Sequence, residues 1–322
     1  MLAKTCLNPT KSKKSSLSPT VQKAILGLRI DVDTYPGAQH GLPWLLQQLH
    51  KYGAKTSVFL PGGPDRTALA ILRIFTQRGY LAKLLRTDAF RIYGPAALTT
   101  SLRYRNRAIA SAAGPMRMVL DHGHEVVAHG FTHTVWHNRL HDMPSEEVDS
   151  HVVQSVDALQ QALGTAPVGF GGPGWQANFA SLAALDRLHL RYGSDARGSH
   201  PFLPVVNNFR FNTPQVPTTL PSLDEFPMGL PPKEQDIKDL FASIRRQHFP
   251  VFAAHAELEG RFYRSFFARL LAYCADNNIA VVPLGTLLDE ARESGPLPHC
   301  AVFQGSIPNR PGVVACQGED KP

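Results

Sequence analysis

No stretch of this 322-residue chain approaches 18 consecutive apolar residues, which excludes a membrane-spanning helix of ordinary length. Cysteine is scarce. The four residues, at positions 6, 274, 300 and 316, include no C-x-x-C spacing, so neither a zinc ribbon nor a disulfide framework is expected, a Cys300–Cys316 bridge included. That usage fits a reducing cytoplasm. A G-x-S-x-G elbow is missing, which removes the starting point for a serine hydrolase. Gly171-Gly-Pro-Gly174 taken by itself is not G-x-G-x-x-G and no G-x-x-x-x-G-K-[ST] loop exists, which argues against a nucleotide enzyme, and without H-E-x-x-H there is no thermolysin-like helix. Residues 1–20 carry Lys4, Lys11, Lys13 and Lys14 but no apolar centre, so they are expected to be a flexible basic tail rather than a signal peptide.

What is present is globular: 43% hydrophobic and 18% charged residues in a chain long enough for one large α/β domain or two ordinary ones. The net charge of +7 is unevenly placed, because Asp65 to Arg107 holds nine basic residues against only Asp65 and Asp88. Large apolar side chains such as Leu69, Ile74, Phe75, Leu84 and Phe90 are interleaved with them. That mixture suits an anionic membrane surface or a lipid phosphate, and equally a helical hairpin with a solvated basic face. No nucleic-acid-binding motif accompanies the charge, so nucleic acid is not an expected partner.

Periodicity alternates between short β-like runs and helical segments. Strands are expected at 24–31, 55–60, 123–128, 168–170, 191–194, 251–254 and 280–282. Helices are expected over 41–53, 107–121, 145–163, 177–189, 233–247, 262–276 and 284–292, with a long Pro-rich loop at 200–232. Such alternation implies a parallel sheet with helices outside it, and about seven units are closer to a barrel than to an open sheet. Asp31, Asp33, His129, Asp195 and His255 all fall at or just beyond C-terminal strand ends, the edge where sites assemble in barrels and open α/β sheets.

The chain is organised around Gly27-Leu-Arg-Ile-Asp-Val-Asp-Thr34. Alternation along a strand puts Asp31 and Asp33 on one face, an expensive arrangement unless a cation or substrate uses it. An Asp-rich turn is the plainer reading of this stretch alone. Further on, His129-Gly-Phe-Thr-His133 places two imidazoles four apart after a strand. Together with one of the carboxylates they would form a two-histidine, one-carboxylate metal site. His122, His124, His137 and His141 belong to the same local excess and are expected at supporting or surface positions.

The order D-x-D, then Gly123-His-Glu-Val126 with His129-x-x-x-His133, then Gly171-Gly-Pro-Gly-Trp175, then a late strand ending at His255 resembles the polysaccharide deacetylases, the NodB-homology group. Further stretches resemble one branch of it, which deformylates a formamido-arabinose carried on undecaprenyl phosphate. They are Tyr192-Gly-Ser-Asp-Ala-Arg-Gly198, Pro214-Gln-Val-Pro-Thr-Thr-Leu-Pro221 and His255-Ala-Glu-Leu-Glu-Gly260. The resemblance implies a distorted (β/α)7-type barrel over 21–295, with 65–107 as a basic apolar insertion and 296–322 as a C-terminal tail. It implies one divalent metal ion (Zn, Mn, Co or Fe) held by Asp33, His129 and His133, with Asp31 as general base and His255 as general acid. Of Asp195 and Arg197, one would hold His255 protonated and the other would orient Asp31; Trp175 would wall the sugar pocket or else be a buried core residue, and the Thr34–Tyr35 turn would offer a backbone N–H to the oxyanion. The implied partners are an undecaprenyl-phosphate-linked amino sugar and the anionic cytoplasmic face of the inner membrane. Gln176, Thr132 and Gly171-Gly-Pro173 depart from the branch's usual residues. A deacetylase of another N-acyl sugar, or an inactive lipid- or sugar-binding barrel, are the competing expectations.

Overall fold

Residue 31 ends the strand on which the barrel is built. The computed structural model describes residues 4–6, 24–66 and 107–321. Its strands are β1 (Lys4–Thr5), β2 (Ile25–Asp31), β3 (Ser57–Leu60), β4 (Glu125–Ala128), β5 (Gly169–Phe170) and β6 (Tyr192–Gly193), then β7 (Leu203–Val206), β8 (Phe209–Arg210), β9 (Val251–His255), β10 (Ala280–Val282), β11 (His299–Ser306) and β12 (Val314–Asp320). Seven of them form one parallel sheet in which β2 pairs with β3 and β9 along its C-terminal half and with β10 along its N-terminal half. From β3 the sheet continues through β4 and β5 to β6.

Along β2, Leu28 and Ile30 are fully buried in the layer shared with the helices. The alternate positions Arg29 and Asp31 are also buried, 0% and 4% exposed, but they face the barrel interior, where a charged pair survives only if its members satisfy each other. Helix punctuation follows local chemistry. Pro43 lies in the first turn of the helix Leu42–Lys51, Gly164 closes the helix Ser145–Leu163 at φ 73°, and Asn178 and Ser181 exchange capping bonds at the start of Phe179–Arg187. A short helix, His133–Arg139, was not expected from periodicity.

The barrel is closed by a segment that is not a regular strand. Pro214 and Val216 bond to Gly193 of β6, and the backbone N–H groups of Thr219 and Leu220 both donate to Val251 of β9. Pro214 and Pro217 have no N–H to give, so 214–220 bridges the two sheet edges without a continuous ladder. This stretch lies in what sequence reading expects to be only a long Pro-rich loop.

A second, five-stranded sheet sets β11 beside β1, β7 and β12, with β8 beyond β7. Residues 296–322, expected as a tail, thus supply β11 and β12, and residues 4–5 of the expected basic tail supply β1. Residues 1–3 and 7–20 of that tail lie outside the described residues, as does the insertion between its ends at 66 and 107. Those ends meet. Pro64 and Ala108 bridge antiparallel, Asp65 N–H donates to Arg107 O, and Ile109 N–H donates to Gly63 O.

The expectation that the cysteines form no disulfide is corrected by the structure, which links Cys6 to Cys316 across a Cα–Cα distance of 5.7 Å. Cys300 and Cys316 do not face each other, because the β11–β12 register sets Cys300 opposite Asp320 and Cys316 opposite Phe303. Cys274 and Cys300 are buried free thiols. Among the described residues, no helix is long and apolar enough to cross a membrane.

Candidate active site

Five expected residues converge at the C-terminal edge of the sheet. Asp31 and His255 are register partners on β2 and β9, so their side chains leave neighbouring strands on the same face. His129 follows β4, and His133 opens the helix that begins there. Asp33 Oδ1 lies 3.5 Å from His129 Nε2 and 3.3 Å from His133 Nε2. That oxygen has no hydrogen-bond partner among the described residues although it is shielded from water. His129 Nδ1 is 2.6 Å from Gly171 O, which fixes the proton on Nδ1 and turns the Nε2 lone pair toward Asp33. An orphaned carboxylate oxygen facing two imidazole nitrogens fits a divalent cation.

Asp31 is held differently. Arg29 Nε donates to its Oδ1 at 2.5 Å and Nη2 to its Oδ2 at 2.8 Å. The guanidinium also bonds Ser194 O at 2.6 Å and lies 4.0 Å over the Phe59 ring. Burial opposes the Asp31 charge, but Arg29 and then His129 overcome it and hold the carboxyl below its usual range. Desolvation likewise opposes the Asp33 charge, and His133 and His129 reverse it, leaving its pKa well below the ordinary value. Desolvation disfavours a charged His255, yet Asp33, Asp31, Glu259 and Asp224 raise it to about 9. His255 therefore carries a proton at neutral pH, and its Nδ1 has no hydrogen-bond partner among the described residues.

Three positions depart from expectation. Arg197 does not reach Asp31: its Nη1 pairs with Glu225 at 2.8 Å and its Nη2 bonds Leu220 O at 2.9 Å. Asp195 does not bond His255 but accepts from Gly172 N–H at 2.6 Å and from Gln215 Nε2 at 2.8 Å. Burial, partly offset by those bonds, raises its pKa to about 6. The Thr34–Tyr35 turn offers no spare N–H for an oxyanion, because Thr34 N–H donates to Glu257 and Tyr35 N–H to Asp65. Tyr35 instead takes its place beside the root of the insertion, with Arg107 Nη1 3.5 Å from its hydroxyl.

Trp175 is 2% exposed and belongs to the interior rather than to an open wall. Its Nε1 donates to Thr218, and the guanidiniums of Arg197 and Arg310 lie 4.8 and 4.5 Å from its ring. Glu257 and Glu259 were missed by sequence reading, although both follow His255 within four residues. Glu257 Oε1 accepts from the backbone of Asp33 and Thr34, and Glu259 Oε2 accepts from His255 N–H. Desolvation, with Asp33 adding to it in the first case, pushes Glu257 to about 8 and Glu259 to about 7. A second convergence of metal-binding side chains, His200, Cys300 and Asp320, is already satisfied: the Gln317 amide reaches His200 Nε2 at 3.0 Å and Cys300 at 3.4 Å, and Cys300 lies 3.2 Å from Asp320.

This arrangement can be set against known proteins. Residues 30–193 match the family model described as polysaccharide deacetylase. A Shewanella sediminis protein named as the 4-deoxy-4-formamido-L-arabinose-phosphoundecaprenol deformylase ArnD is 32% identical over 298 residues, covering 91% of this chain and 94% of its own. One of the same name from Wigglesworthia glossinidia brevipalpis is 26% identical over 283 residues, covering 87% and 98%. A crystal structure from Mycobacterium smegmatis, assigned to the polysaccharide deacetylases, superposes with a TM-score of 0.60 at 17% identity over 89% of this chain and 96% of that one, a likeness of fold. A match spanning more than half the chain, and a relative alike almost end to end, carry one conclusion: this chain belongs to the polysaccharide deacetylase family and is a hydrolase of amide bonds.

Proposed function

We propose that the chain removes the formyl group from 4-deoxy-4-formamido-L-arabinose carried on undecaprenyl phosphate, in a metal-dependent reaction that serves lipid A modification. The observation that carries this reading is the end-to-end similarity to the Shewanella deformylase. In this reading Asp33, His129 and His133 hold one divalent ion. Such an ion supplies Lewis acidity, making water acidic enough for a weak base to deprotonate and stabilising negative charge on the formyl oxygen. Asp31 is that base, kept ionised and oriented by Arg29. His255, protonated at neutral pH, stands across the strand pair from Asp31 and delivers its proton to the departing amine nitrogen, which spares the expulsion of an amide anion. Formate and the lipid-linked amino sugar are the products.

The insertion is proposed to bring this site to the cytoplasmic face of the inner membrane. Its root, where Asp65 accepts from Tyr35 N–H, adjoins the turn that follows β2 and carries the ligand Asp33.

Formate release from a short-prenyl formamido-arabinose phospholipid tests the reaction, with the N-acetyl analogue alongside. Formate from the first and no acetate from the second is expected. Acetate alone would move the substrate to another N-acyl sugar, and silence from both with zinc bound would leave a binding barrel. Asp31→Asn should lose turnover and keep metal, whereas Asp33→Asn should lose metal, read by elemental analysis after dialysis.

A further inference from the structure

Three adjacent strand ends lie in a row: His129 after β4, Gly171 and Gly172 after β5, and Asp195 after β6. Gly171 and Gly172 share one peptide unit. Its carbonyl oxygen is 2.6 Å from His129 Nδ1, and its N–H donates across 2.6 Å to Asp195 Oδ1. The row is dry, with His129 and Asp195 each 1% exposed. Asp195 is clamped from behind, because Gln215 Nε2 donates to its Oδ2 at 2.8 Å while Gln215 Oε1 accepts from Asp195 N–H at 2.9 Å. Only glycine lets the peptide pass here. A Cβ on Gly172 would lie 2.2 Å from Gln176 O and 3.1 Å from Asp195 Oδ1, and one on Gly171 would lie 2.4 Å from the Phe59 ring.

The two ends of a peptide are conjugated, so a negative charge accepting from the N–H shifts electron density toward the oxygen and makes it a stronger acceptor. Metal-binding histidines commonly donate their other N–H straight to a carboxylate. Here one peptide stands between the two groups.

We propose that Asp195 is a positioning residue for His129: acting through the Gly171–Gly172 peptide, its carboxylate locks the Nδ1-protonated tautomer and strengthens Nε2 as a metal ligand. The inference rests on reading Asp33, His129 and His133 as the ligand set. It also accounts for a fully buried carboxylate that bonds neither catalytic residue.

Asp195→Asn keeps an acceptor and removes the charge. Zinc titration of the metal-free protein against a competing chelator should show affinity weakened about tenfold, the lower end of what loss of such a supporting group costs. In histidine-labelled, metal-free protein, the His129 Nδ1–H proton resonance should move upfield in the variant while His133 signals stay in place. Unchanged affinity together with an unmoved His129 resonance would overturn the proposal. In the unaltered protein, zinc addition should shift the Gly172 amide proton, and a silent Gly172 would also overturn it, so the test stands even if the variant does not fold. If the parent protein binds no zinc, the ligand reading fails; the His129 resonance then decides on Asp195 by itself.

Discussion

Arg29 governs what Asp31 is able to do. A carboxylate gripped by both arms of a guanidinium is oriented and ionised, but its basicity is low, so it can work only on an acidified proton. Arg29→Lys retains charge without the planar fork. Turnover should fall roughly 100-fold, as expected when a reacting group is displaced by about an ångström, while metal content stays unchanged. Arg29→Met leaves Asp31 buried without its partner and should destabilise the fold by about 3–5 kcal/mol, measurable by urea unfolding. A metal content that fell in step with turnover would instead place Arg29 in the metal site. The five central residues were legible in the sequence because strand alternation and the D-x-D and H-x-x-x-H spacings are local. Arg29 obeys the same alternation two residues before Asp31, so its signal was present and went unread. The partners of Asp195 and Arg197 were not legible, since Gln215 and Glu225 reach them from a chain segment whose path only the closed barrel defines.

At the scale of elements, the junction of β3 and β4 makes stability depend on pH. His124 Nδ1 accepts from Thr56 N–H, a role that requires a neutral ring. Burial, then Lys55, His122 and His50, push its pKa down from 6.5 to about 4. A depressed imidazole pKa means that stability is whole above 6.5 and is lost as pH falls toward 4, because only the unfolded chain takes up the proton. At pH 5 the loss is on the order of 1–2 kcal/mol after allowance for solvent screening. In His124→Gln, which can still accept from Thr56, the urea midpoint should drop less between pH 7 and pH 5 than in the parent; equal drops would remove His124 as the cause. Most strands and helices were readable here from periodicity. The helix Ser145–Leu163 matches its expected span, since its caps and apolar stripe lie within it. The short strands β7 and β8 were not, because they are too brief to show a period and depend on β11 from the far end of the chain.

For the molecule as a whole, the meeting of Pro64 with Ala108 makes the insertion separable. Joining Arg66 to Arg107 should leave a folded barrel with metal bound. Flotation on vesicles rich in anionic lipid should then lose the protein, and KM for a lipid-linked substrate should rise while kcat holds. Continued flotation with an unaltered KM would make the insertion structural only. The Cys6–Cys316 link and the β1–β11 pairing tie residues 4–6 into the second sheet, a connection no local pattern announces.

The proline-bearing segment 214–220 has a further consequence. An unrolled sheet would present the outer rims of β6 and β9 to solvent, and bare rims invite strands from other molecules and so seed fibrils. Both rims are covered by a stretch that, lacking N–H groups at Pro214 and Pro217, cannot itself template an added strand. The same residues that complete the enclosure around the catalytic edge thereby protect the protein against self-association.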